Sequence, residues 1–116
     1  ASRNEQLPAD ARAGKTFRIH IGPCPNSGKV WAIAGLAKRD GLADARFRAK
    51  LNGQPLKTAG DLKSLERIGG NTARAIRFAL PLNVVKAGYN ELDLRQIGGS
   101  TGQQIVWVEI RITPDK

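Results

Sequence analysis

Few side chains in this sequence combine reactive chemistry with useful spacing. The single cysteine, Cys24, follows the single histidine, His20, by four residues. A thiol becomes a nucleophile only beside a base. His20 falls on the outward phase of an extended segment and Cys24 in the turn after it. The two meet only if that turn folds back, so the expectation is a spare thiol. One Cys and one His also cannot build a tetrahedral zinc site. The stretch Gly22-Pro-Cys-Pro-Asn-Ser-Gly28-Lys29 has the outline of a phosphate loop but departs from it in detail. Five residues separate its glycines instead of four, and Val30 stands where a magnesium-holding Ser or Thr belongs. Two prolines also remove backbone donors that the cradle needs. A Pro/Gly turn between strands accounts for it better.

Acid–base catalysis needs two carboxyls facing one cleft. The acids on strand-like segments are Glu91, Asp93 and Glu109. Arg95 and Arg111 follow on the same faces, so ion pairing explains these acids with less effort. No catalytic residue is assigned. The remaining constellation is one for binding. Trp107 shares a phase with Glu109 and Arg111, while Arg46, Arg48 and Lys50 line another segment, with Arg77, Arg95 and Trp31 as possible neighbours. An indole stacks on the C–H face of a sugar and guanidinium groups bond hydroxyls or carboxylates. Trp107, Arg111, Arg95 and Arg48 are therefore the expected ligand-binding residues. The same set suits a stacked base and a phosphate, and Trp107 also has a plain reading as packing under a neighbouring loop or domain.

Positioning such groups is the task of one domain, since the chain has 116 residues. Nineteen Lys and Arg against ten Asp and Glu give a net charge of +9, which favours polyanionic partners. The cations are scattered from Arg3 to Lys116 with no basic tail or block, which favours general solubility over a dedicated polyanion site. No apolar run approaches the ~20 residues of a membrane span. Methionine is absent, so the expectation is a domain excised from a longer protein. Residues 1–14 are polar and lack a period; they read as a linker or a loosely docked N-terminal extension, with the domain at 15–116.

Beyond them, period-two alternation dominates. Lys15–Ile21 alternates Phe17, Ile19 and Ile21 against Arg18 and His20. Lys29–Ala37 is apolar on both phases, as in a central strand. Ala45–Leu51 sets Phe47, Ala49 and Leu51 against Arg46, Arg48 and Lys50. Asn52-Gly53 then marks a tight hairpin, with Gln54–Thr58 returning. Ala73–Leu80 points Ile76, Phe78 and Leu80 inward. Pro81–Ala87 allows one helical turn, and Tyr89–Gln96 buries Leu92 and Leu94. In Ile105–Ile112 the inward set is Val106, Val108, Ile110 and Ile112, with Ile105 outward beside Trp107. Residues 59–72 are assigned a short helix or long loop. Seven to nine short strands and at most two helical turns predict an all-β antiparallel sandwich.

The run from Leu80 to Leu94, LPLNVVKAGYNELDL, resembles the turn-into-strand pattern of galactose-binding-like β-sandwiches. These are jelly-roll accessory domains of glycoside hydrolases and polysaccharide lyases. Arg48–Leu56 resembles their "NG" hairpin, and the strand order is similar to that of the C-terminal sandwich of rhamnogalacturonan lyases. The resemblance covers about residues 15–113 and implies a non-catalytic carbohydrate-binding or scaffold module of a secreted or periplasmic enzyme. It implies partners in a polysaccharide and an adjacent catalytic domain. Strong basicity adds an acidic glycan to that expectation. Some relatives hold a structural calcium; Asn26, Asp40 and Asp44 are the faint candidates here, and no cofactor is assigned. A basic nucleic-acid-binding domain and a purely structural domain docked on its own chain are the alternatives.

Overall fold

A computed structural model describes residues 9–24, 27–37, 40–61 and 72–113. They form nine strands: β1 (Ala9–Asp10), β2 (Lys15–Ile21), β3 (Lys29–Ala37), β4 (Arg46–Leu51), β5 (Gln54–Pro55), β6 (Lys57–Asp61), β7 (Thr72–Leu80), β8 (Gly88–Gly98) and β9 (Gln104–Thr113). Short 3-10 turns occupy Leu42–Asp44 and Leu82–Val84. The strands make a five-stranded sheet, β1-β9-β3-β7-β6, and a four-stranded sheet, β2-β8-β4-β5. All pairings are antiparallel, and the chain is an all-β sandwich. Among the described residues no helix is long and apolar enough to cross a membrane.

The pairing is nested. β1 pairs with β9, β2 with β8, β3 with β7, and β4 with β5 across the Asn52-Gly53 turn. Alternate pairs lie in opposite sheets, the winding of a two-stranded ribbon into a jelly roll. Asn52 and Gly53 both have positive φ, 51° and 83°, the conformation that a two-residue hairpin demands. Inward residues of both layers meet in one core. The four-stranded sheet contributes Phe17, Ile19, Phe47, Leu51, Leu92 and Leu94; the other contributes Val30, Leu36, Ile76, Phe78 and Val108. A buried side chain of this size stabilises by roughly 1.5–3 kcal/mol relative to exposure.

Three sequence expectations need correction. Residues 9–14 are not linker: Ala9 and Ala11 are buried in the core, and β1 extends the five-stranded sheet beside β9. Small residues give little periodic signal, and a two-residue strand gives almost none. The returning segment Gln54–Thr58 splits. Gln54 and Pro55 pair with β4, then Lys57–Asp61 joins β7 in the opposite sheet. Pro55 has no N–H for the ladder, and Leu56 turns toward the core. Ile105 is not outward but fully buried in the core. Register runs Gly35 opposite Trp107 and then Leu36 opposite Ile105. Val106 is thus the extra residue of a bulge, which resets the alternation. The expected helix or loop at 59–72 lies largely outside the described residues; Ala59, Gly60 and Asp61 are strand.

Buried polar residues lock the turns. Asn90 is 0% exposed. Its Nδ2 donates to the carbonyls of Lys86 (2.8 Å) and Gly88 (3.2 Å), and its Oδ1 accepts from the Lys86 N–H (2.8 Å). Asn52 Nδ2 donates to the same Oδ1 and to the Val84 carbonyl, each at 2.9 Å. The hairpin of β4 and β5 is thereby clasped to the turn before β8.

Candidate functional site

Period-two alternation aims three rows of polar side chains outward from the four-stranded sheet. β8 sets Tyr89, Glu91, Asp93 and Arg95 between Thr16, Arg18 and His20 on β2 and Arg48 and Lys50 on β4. Register fixes who faces whom. Arg48 stands directly opposite Arg95, and Lys50 opposite Asp93, which faces Thr16 on its other side. Arg18 faces Glu91, and His20 faces Tyr89. A hollow of ≈ 390 Å³ opens at the Arg48–Arg95 end, lined also by Lys15, Thr16, Lys50 and Asp93.

Two local features set the geometry of the hollow. Arg46 is drawn aside, since its guanidinium lies where a side chain on Gly98 would stand. The Ile97 bulge that brings Gly98 opposite Arg46 leaves Arg48 and Arg95 as the facing pair. The aliphatic stem of Arg95 lies over Gly14. Like charges directly opposite across an antiparallel pair destabilise it. Here they are kept on an exposed face, and among the described residues no carboxylate pairs with Arg48, Lys50 or Arg95. Asp93 is taken by the Thr16 hydroxyl, which donates to its Oδ1. The hollow is therefore a cationic site with one acceptor carboxylate at its rim. Two guanidinium forks suit a planar carboxylate, and Asp93 suits a neutral hydroxyl donor.

The other two expected binding residues are elsewhere. Trp107 and Arg111 project from the outer face of the five-stranded sheet, on the opposite side of the sandwich. Trp107 covers Gly35, where an added Cβ would sit 2.2 Å from the indole. Its Nε1 donates to Thr72 Oγ1 at 2.6 Å. Arg111 is paired with Glu109 at 2.8 Å on its own strand. Beside them the Arg77 guanidinium lies 5.0 Å from the Trp31 ring centroid. Ile33 on this face is only 1% exposed yet lies outside the core cluster, so the face is itself a packed layer. The four residues thus form two separate pairs. Arg48 and Arg95 meet; Trp107 and Arg111 do not join them, because β9 belongs to the other sheet. A glycine in mid-strand was the available signal that an aromatic would cover it. Thr16 and Lys15, which complete the hollow, become visible only once β2 is known to flank β8.

The remaining chemistry does not assemble into a site. His20 and Tyr89 pack T-shaped, with ring centroids 5.2 Å apart. Cys24 Sγ lies 4.0 Å from the carbonyls of Gly22 and Val85. Among the described residues no three His, Cys, Asp or Glu side chains gather as metal ligands. Asp44 is the last residue of the first 3-10 turn, Asp40 lies just before that turn, and Asn26 lies outside the described residues. No family model matches the chain, and no curated protein matches it.

Proposed function

We propose that this chain is a non-catalytic module that holds acidic polysaccharide on the outer face of its four-stranded sheet. It would act as an accessory domain of a secreted or periplasmic carbohydrate-active enzyme, as its resemblance to galactose-binding-like sandwiches implies. The observation that carries this reading is the Arg48–Arg95 pair, set face to face over the hollow. A bound carboxylate relieves the repulsion between them, so the ligand supplies what the free protein lacks. Uronate units bring a carboxylate and several hydroxyls in one ring, matching the arginines and Asp93. A polyphosphate backbone matches the cations but brings no hydroxyl donor for Asp93.

Calorimetric titration with polygalacturonate, a neutral galactan and single-stranded DNA tests the assignment. Expected is binding of polygalacturonate alone, lost in Arg48→Gln/Arg95→Gln. Tighter binding of DNA with a steep salt dependence would assign the face to nucleic acid instead. Absence of heat with every ligand, with the protein folded, would leave the scaffold role.

A further inference from the structure

We propose that the bound glycan runs lengthwise along β8 and that Tyr89 is its second subsite, a stacking platform at the end away from the arginines. This rests on the reading of the cationic hollow given above. Exposure of a single aromatic means little by itself. Tyr89 differs in three respects. It keeps 59% of its surface exposed while its ring is held from two sides. The Arg18 guanidinium lies over the ring at 4.4 Å from its centroid. The His20 ring packs T-shaped against it, with centroids 5.2 Å apart and an interplanar angle of 78°. A ring capped by a guanidinium, braced by a second ring and still 59% exposed is held in a fixed orientation with surface left over, which is what stacking on a sugar requires.

Placement supplies the second ground. Tyr89 and Arg95 point outward from the same strand, with Glu91 and Asp93 between them on the same face. Six residues at about 3.3 Å each separate the two ends by about 20 Å. Between them lie two carboxylates able to accept hydrogen bonds from hydroxyls, and Arg18, which faces Glu91. The order along the strand is therefore platform, hydroxyl acceptors, carboxylate clamp. A monosaccharide reaches one end only, whereas an oligomer long enough to span the strand reaches both. The ligand class is thus an extended chain of uronate-containing sugars, recognised along its length rather than at its tip.

Calorimetry with galacturonate oligomers, from the dimer to about the octamer, reads this directly. In the wild type, affinity should rise by about tenfold when the oligomer becomes long enough to span ~20 Å. Tyr89→Ala should abolish that rise and leave dimer affinity unchanged, while Tyr89→Phe should keep it. Arg48→Gln/Arg95→Gln should weaken all lengths. If the dimer and octamer lose affinity equally in Tyr89→Ala, or if its length dependence matches the wild type, the Tyr89 subsite is refuted while the hollow stands. If the wild type binds no uronate of any length, both fall together.

Discussion

Reversing the charge of Arg95 should make this protein more stable and less able to bind. In Arg95→Glu the new acid stands directly opposite Arg48 in the register. Cross-strand charge pairs contribute roughly 0.2–1 kcal/mol, with the sign set by the charges. The substitution removes one unfavourable pair and installs one favourable pair. Both side chains are exposed, so solvent screening limits the sum to about 0.5–1 kcal/mol at low salt. For a domain of this size that raises the melting temperature by about 2–5 °C. Raising NaCl from about 20 mM to about 0.5 M shortens the Debye length to ~4 Å and should erase most of the gain. Calorimetric melts of wild type and variant at the two salt concentrations measure it, and titration with polygalacturonate measures the accompanying loss of binding. A lower melting temperature at low salt, or a shift indifferent to salt, would refute the claim that Arg48 and Arg95 repel one another across the hollow.

Other outcomes follow from the packing. Gly35→Ala drives a methyl into the Trp107 indole, 2.2 Å away, and should cost about 2–3 kcal/mol by urea denaturation; much of this should return when Trp107→Ala is added. Trp107→Phe loses the bond to Thr72 and should cost about 1 kcal/mol while leaving glycan affinity unchanged, since the proposed binding face lies on the other sheet. Asn90→Ala leaves backbone groups of Lys86 and Gly88 without their partner in a partly buried turn, empties the fully buried Asn90 position, and should cost about 2–4 kcal/mol in the same assay. Ile105→Ser should destabilise by about 3 kcal/mol or more, and Val106→Ser by about 1 kcal/mol or less; equal costs would deny the bulge that separates them.

Legibility of the fold from sequence followed the reach of each signal. Alternation over β2, β4 and β8 is unbroken, and it points to the same core residues that the structure buries, Phe17, Phe47 and Leu92 among them. Asn52-Gly53 announced its hairpin because few dipeptides tolerate that backbone. Failures came where one residue interrupts the period. Val106 displaces Ile105 from the expected phase, and Pro55 ends a strand whose continuation changes sheets. The geometry of the candidate site was half legible for a different reason. That Arg48 and Arg95 point outward is a local property; that they face each other while Trp107 does not depends on which strands pair. Strand partnership is set by the winding of the whole chain, and no window of sequence contains it.

That winding also has a kinetic side. The β4–β5 hairpin closes across two residues, Asn52 and Gly53. Each later pair, β3 with β7, β2 with β8 and β1 with β9, must close a longer stretch of chain, at a rising entropic cost. Loop closure therefore favours assembly from the innermost turn outward, with a rate set by contacts distant in sequence, as in other all-β domains. Damage at the Asn52-Gly53 tip should slow folding, whereas damage at β1 should chiefly hasten unfolding. The same outermost strand, last to dock, is the first that heat or force would release.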